Sequence, residues 1–382
     1  ADIVAVLAHR NAAVGLVAVG WAAPRVAWGR WKDRALGAWA GMAAWVRLAV
    51  SVGASAVTLF AAWQTLVGGS LFRRLGDQGE ILVLALATGV FRYSPWVLLS
   101  LGAGLVMAAI VFVDPSLGLA LTMVAAPLYL HPMSLFGKSF SLAELVLLPT
   151  LLGWAVRWAA EMARGRHHRR MALGPAARAL GWPVLALVGW SVASALGAQH
   201  GREALRELRL VILEPALFFA ALVTLSMSNR ERWRVVDAFV VSAVGVALVG
   251  LVQYFVLGDV ITAEGGVLRL RSIYGSPNNV GLMMGRVLPV LLAIVVWGGP
   301  ARSRGQRARR WVYGLAVLPV ALALGLSLSR GAIVLGVPAA VVALGLLAGR
   351  RWRTATLIAV GLGLLALIPL LRLPRFAGLV DL

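Results

Sequence analysis

The feature that most limits what this chain can become is a recurrence: long apolar stretches almost free of charge, separated by short loops dense in arginine. In the second half such stretches run at about 180–197, 210–226, 235–257, 279–298, 312–328, 332–348 and 355–371, each close to the length that crosses a hydrocarbon core as a helix. A water-soluble globule is excluded, because a chain that is 60% hydrophobic and 13% charged does not furnish a hydrated surface. In lipid, backbone polar groups must be satisfied within the element, so runs of this length are expected to be helices. The fold class expected is all-α, a polytopic transmembrane helical bundle.

The loops also set an orientation. Arg157, Arg164, Arg166, Arg169, Arg170 and Arg178 crowd one loop and its flanks; Arg230, Arg232 and Arg234 fall two loops on, then Arg302, Arg304, Arg307, Arg309 and Arg310, then Arg350, Arg351 and Arg353. By the positive-inside rule these face the cytoplasm, and the loops near 198–208, 258–278, 329–331 and 372–382 face outward. Counting back, runs at 139–160, 117–130, 97–113 and 81–95 leave Arg73 and Arg74 inside, and 48–69 is the first clear span. The total is about 12 spans. Residues 1–47 mix apolar stretches with Arg10, Arg25, Arg30, Lys32, Arg34 and Arg47, and are read as a separate region, an additional or interfacial helix, ahead of a transmembrane domain over 48–382. The net charge of +21 belongs to topology and anionic headgroups, so membrane lipids are expected as partners and nucleic acid is not. With no cysteine and five histidines lacking ligand spacing, no metal site and no cofactor are expected. The chain opens on Ala1 and closes soon after an apolar run, as a piece of a longer protein would.

Arginines on the outer side oppose the bias that fixes the topology and call for a separate reason. Arg202, Arg206 and Arg209 are spaced along one helical face leading into the next span, with Glu203 and Glu207 as the bland pairing partners of the first two. Arg209 begins an apolar run with Glu214 and Pro215 deeper, at the membrane boundary; it is either an anion ligand or one half of an Arg209–Glu214 pair. In the stretch 265–279, Arg269 and Arg271 alternate along an extended segment and are expected on one face of it. Gly275, Ser276 and Pro277 then break the extension, and Asn278 or Asn279 is expected to cap the following helix, whose positive end suits an anion. Arg286, inside that helix, is expected to face a cavity or a carboxylate such as Glu144. In Leu-Ser-Leu-Ser-Arg-Gly-Ala (326–332), Ser329 and Gly331 suit a tight turn, whereas turning does not require Arg330, which either binds or snorkels. Planar guanidinium forks match a diphosphate, and a lipid-linked one suits a site at the membrane mouth. A transporter or flippase for an anionic lipid or sugar is the alternative reading, and a scaffold that binds anionic lipid is a third.

At these residues the chain resembles the O-antigen ligase and O-antigen polymerase (Wzy-type) superfamily of bacterial membrane glycosyltransferases. The resemblance lies in Arg-Leu-Arg-Ser-Ile-Tyr-Gly-Ser-Pro-Asn-Asn (269–279), Leu-Ser-Leu-Ser-Arg-Gly-Ala (326–332), the segment ending at Arg209 and, more weakly, Phe-Ser-Leu-Ala-Glu-Leu (140–145), over roughly residues 130–375. It implies a GT-C-like fold and metal-independent, inverting transfer of a glycan from an undecaprenyl-diphosphate donor to a hydroxyl on a glycan or lipid acceptor, at the outer face of the cytoplasmic (inner) membrane. Arg209 and Arg271 would then hold the diphosphate, Arg330 and Arg269 would support them, and Gly275, Pro277, Asn278 and Asn279 would shape the loop and helix start. Family members also carry, after the helix matching 355–371, a large outer loop with a histidine assigned to acceptor activation or diphosphate contact. This chain ends at Leu382 before such a loop, so the catalytic residue is not assigned, and neither His131 nor His200 stands in the matching place.

Overall fold

A computed structural model of the protein describes residues 70–94, 96–135, 138–163, 175–262, 266–297, 304–347 and 350–366, with Gly53 alone before them. The region 1–47, the expected span at 48–69, the arginines at 164, 166, 169, 170 and 302, and the segment 372–382 lie outside the described residues.

The described chain is a helical membrane protein. Its elements are α1 (Ser70–Tyr93, kinked at Gly76), α2 (Val97–Val113), α3 (Pro115–Ala125), a hairpin of β1 (Met133–Leu135) and β2 (Lys138–Phe140), α4 (Leu142–Ala163), α5 (Pro175–Leu196), α6 (Gly201–Glu207), α7 (Glu214–Thr224) and α8 (Asn229–Val252). A short ladder of β3 (Ile261–Thr262) and β4 (Leu268–Arg269) follows, then α9 (Pro277–Trp297), α10 (Arg304–Ser327), α11 (Val337–Leu347) and α12 (Arg350–Ala366). Among the described residues five helices are long and apolar enough to cross a membrane: Leu142–Ala163, Ala179–Leu196, Asn229–Leu257, Pro277–Val296 and Arg304–Ser327. Shorter apolar helices cover Val97–Val113, Pro115–Leu130, Gly331–Leu346 and Arg353–Gly363. Each starts or ends within a few residues of a run expected from the sequence.

Two cores hold the bundle. One joins α1 to α4 around Val106, Met107, Val111 and Val146. The other joins α8, α9 and α10 around Ala247, Met284, Leu291 and Val320, and draws in Leu270 and Tyr274 from the loop before α9. Leu119 and Ala120 of α3 meet Ala221 and Val235 at the seam between them. Small residues set the approach: at Gly118 a Cβ would overlap Thr150, and at Gly153 it would overlap the Phe112 carbonyl. Without a hydrophobic driving force between helices in lipid, such close backbone packing supplies the contact energy.

The two ends of the bundle differ in kind. At one end, arginines brace helix termini: Arg157 donates to the Val113 carbonyl, and Arg310 Nε donates to the Val295 carbonyl at 2.7 Å. Cations there complement the negative ends of α2 and α9. Arg234 pairs with Asp114 at 3.5 Å and Arg309 with Asp237 at 3.1 Å, while the Arg309 guanidinium also lies 4.6 Å over the Trp233 ring. The opposite end gathers the loops around 126–141, 197–208, 258–276 and 327–330. Among the described residues, Arg157, Arg234, Arg309 and Arg310 thus lie at one end, and the loops that carry Arg209, Arg269, Arg271 and Arg330 lie at the other.

Candidate functional site

The site is built at the end that gathers these loops, from Ser141. In the sequence Ser141-Leu-Ala-Glu144, the Ser141 hydroxyl accepts the Glu144 N–H at 3.1 Å, and Glu144 Oε2 accepts the Ser141 N–H at 2.6 Å. This reciprocal cap starts α4 and pins the Glu144 side chain. Its other oxygen, Oε1, accepts from Arg209 Nη2 at 2.8 Å. Glu144 is buried, whereas the Arg209 side chain is 50% exposed, so one face of the guanidinium stays open. Glu214 lies 3.8 Å from Arg209 Nε. The Arg209–Glu214 pair, one of the two alternatives read from the sequence, is present at 3.8 Å, but Glu144, expected as a possible partner of Arg286, is the closer partner of Arg209, and the Arg286 side chain is exposed on α9.

Arg209 owes its place to a π-helical segment, Leu208–Leu213, between α6 and α7. Pro215 lacks the N–H that would bond the Val211 carbonyl and its ring crowds that carbonyl, so the preceding Glu214 N–H reaches back five residues to the Arg209 carbonyl instead. Residues Gly331–Gly336 do the same: Val337, just before Pro338, donates to the Ala332 carbonyl, and Arg330 stands immediately ahead of the segment. A third π segment, Gln253–Leu257, ends on left-handed Gly258 and delivers Asp259 to the loop.

A cavity of about 560 Å³ opens beside Arg209. Its walls are largely apolar, with Met123, Leu147, Val211 and Phe218, and its charged groups are Arg206, Arg209, Glu144, Glu207 and Glu214, with Tyr129 and three further hydroxyl residues beside them. Two guanidinium groups therefore meet three carboxylates. Arg202, Glu203, Arg206 and Glu207 form no ion pair among the described residues, so the bland pairing expected for that helix does not occur.

Arg269 and Arg271 do not share a face. The extended segment covers only Leu268–Arg269, and the backbone turns at Arg271 (φ −109°, ψ −26°). Arg269 is buried; its Nε donates to the Ser327 carbonyl at 2.9 Å, and its Nη2 to Asn278 Oδ1 at 2.9 Å and the Leu328 carbonyl at 3.4 Å. With the Leu270 N–H on the Leu326 carbonyl at 3.0 Å, the loop satisfies three successive carbonyls at the end of α10. Arg269 is thereby a helix cap supplied from another segment. Arg271 is also buried and is ion-paired with Asp259, which the sequence reading missed.

The loop is wedged in place. Leu270 packs where Gly250 leaves room, a Cβ there falling 2.5 Å from Leu270 Cδ2, and Ser272, at φ 50°, donates its hydroxyl to the Val246 carbonyl at 2.7 Å. Gly275 takes φ 62°, the left-handed turn expected of it. Pro277 opens α9, but neither asparagine caps it: Asn278 accepts from Arg269, and Asn279 Nδ2 donates to the Tyr129 hydroxyl at 3.3 Å. Burial, with Tyr129 beside it, pushes the Tyr274 phenol up, so it remains a donor, here to Met283 Sδ at 2.8 Å.

In the 326–332 turn the strained residue is Leu328, at φ 47°, rather than Ser329 or Gly331. Ser329 is buried against Gly281, where a Cβ would overlap its side chain. Arg330 is half-buried and has no side-chain partner among the described residues. The cavity and these turns adjoin through Tyr129, which lines the first and touches Asn279 and Tyr274 of the second, the two tyrosine rings being 6.1 Å apart. His131 also holds the loop, with Nε2 3.1 Å from the Ile273 carbonyl. Arg269, Arg271 and Arg330 thus share one loop-and-turn cluster, and Arg209 belongs to the neighbouring cavity.

Fold and topology together define an all-α membrane-embedded protein. Comparison with protein-family models, with curated proteins and with solved structures gives no match.

Proposed function

We propose that the protein is a membrane glycosyltransferase of the O-antigen ligase or polymerase type, with about 12 spans and a GT-C-like fold. It transfers a glycan from an undecaprenyl-diphosphate donor to a hydroxyl acceptor at the outer face of the bacterial cytoplasmic membrane. The observation that carries this reading is the junction at Tyr129 between two chemically different surfaces: a cavity rich in carboxylates, and a turn cluster holding three arginines against one carboxylate, Asp259. Diphosphate suits the cationic side, where Arg330 is unpartnered among the described residues, and Arg209, open on one face, reaches toward it from the cavity side. Acceptor hydroxyls suit the carboxylate side, where they find hydrogen-bond acceptors and a tyrosine ring. Arg209, Arg271 and Arg330 would neutralise the charge that builds on the departing diphosphate, while Arg269 holds the two turns together.

The full-length protein, reconstituted with an undecaprenyl-diphosphate glycan and a hydroxyl acceptor, is expected to form product without moving labelled donor across sealed vesicles. Uptake across the vesicle wall with no product would favour the transporter reading instead. That alternative has less support, because a transporter needs access from both ends, whereas the cavity and the turn cluster adjoin through Tyr129 at one end of the bundle.

A further inference from the structure

We infer that Asp259 sets the ligand specificity of the donor site, as an internal counter-anion that holds Arg271 until a diphosphate displaces it; the inference rests on the glycosyltransferase reading above. Arg271 is buried, and its pairing with Asp259 through Nη2 is its only side-chain hydrogen bond or ion pair among the described residues. A guanidinium placed to bind diphosphate is thus already occupied by a carboxylate, and the two anions compete for one fork. The other outer-end pairings cannot open in this way. Glu144 is buried, with its second oxygen committed to the Ser141 N–H, so it stays on Arg209. Arg269 is bound to the backbone carbonyls of Ser327 and Leu328. Asp259 differs, because its side chain is 38% exposed and Arg271 is its sole side-chain partner among the described residues.

The Asp259 backbone, by contrast, is fixed on both sides. Its N–H donates to the Gln253 carbonyl at 2.9 Å behind left-handed Gly258, and Ile261 is paired with Arg269. The carboxylate can therefore leave Arg271 by side-chain rotation toward water, with the loop unmoved. Nor does the loop depend on the pair, since the β3–β4 ladder and Leu270 in its notch at Gly250 hold it. An open guanidinium at a membrane mouth would collect phosphodiester headgroups, which are abundant there. A singly charged headgroup only replaces what Asp259 already supplies. A diphosphate carries more charge and can also engage the unpartnered Arg330 of the same cluster, so it prevails. Asp259 thereby keeps common lipids off Arg271, while lowering donor affinity in proportion to its own occupancy.

The test measures binding of undecaprenyl diphosphate to the full-length protein in nanodiscs of phosphatidylcholine, with and without phosphatidylglycerol. Wild-type affinity is expected to be nearly insensitive to phosphatidylglycerol. Asp259→Asn is expected to bind about tenfold tighter in pure phosphatidylcholine, and to lose that gain as phosphatidylglycerol is added. In an Arg271→Gln background the same substitution should change nothing. Unchanged or weaker binding by folded Asp259→Asn in phosphatidylcholine would overturn the inference alone, as would a gain that phosphatidylglycerol leaves intact or one that persists without Arg271. Should Asp259→Asn fail to fold, carbodiimide and amine modification of the wild type gives the answer: undecaprenyl diphosphate is expected to raise labelling at Asp259, and unchanged or reduced labelling would overturn the inference. A wild type that binds no undecaprenyl diphosphate in either bilayer would overturn both this inference and the function it rests on.

Discussion

Arg269 and Arg330 meet the same short turn and do opposite things to it. Arg269 spends its guanidinium on the Ser327 and Leu328 carbonyls and on Asn278, whereas Arg330 follows the turn with its side chain unengaged among the described residues. Arg269→Ala leaves buried carbonyls without donors and is expected to destabilise the protein by about 2–3 kcal/mol, read as a lower midpoint of thermal unfolding in detergent. Arg330→Ala should leave that midpoint within about 0.5 kcal/mol of wild type while glycan transfer falls about tenfold or more. Equal thermal losses in the two variants would refute this division of labour. At the start of α4, Ser141→Ala removes a cap and is expected to cost about 1 kcal/mol by the same measurement. Some of this was legible from residue type: Gly275 was expected to turn and takes left-handed φ. The partners were not legible. Glu144 is 65 residues from Arg209, and Asp259 precedes Arg271 by 12, with the path between them set by the loop.

At the scale of elements, the least expected feature is the set of π segments. Two of them, one containing Arg209 and one directly after Arg330, end two residues before Pro215 and Pro338, so the sequence did carry their signal; hydrophobic periodicity simply does not register a single extra residue in a turn. Pro215→Ala restores a donor for the Val211 carbonyl and lets a regular α-helix form. Removing the extra residue rotates Arg209 by about 100° relative to Glu214 and separates it from Glu144. The expected result is an unfolding midpoint equal to or above wild type together with transfer reduced about tenfold or more. Undiminished transfer would show that the bulge is irrelevant to the site. The extended pairing foreseen for Arg269 and Arg271 failed for a related reason: Ser272, held at φ 50° by its bond to the Val246 carbonyl and by burial beside Gly250, bends the strand early.

At the scale of the whole molecule, the span pattern was the most legible part, because lipid demands apolar length and charge alternation marks the ends. Helices at 142–163, 229–257, 277–296 and 304–327 lie close to the expected runs, and contacts among Arg157, Arg234, Arg309 and Arg310 collect at one end as the alternation required. The chain has no cysteine, so single introduced thiols report orientation cleanly. A membrane-impermeant maleimide added outside intact cells is expected to label Gln199→Cys and to spare Ala308→Cys; the reverse pattern would invert the bundle and remove the outer site. The most direct measurement is kcat/KM for glycan transfer from undecaprenyl diphosphate by the reconstituted full-length protein, compared with its Arg209→Ala variant. The geometry predicts turnover by the wild type and a loss of about 100-fold or more in the variant. Equal turnover by both would contradict it.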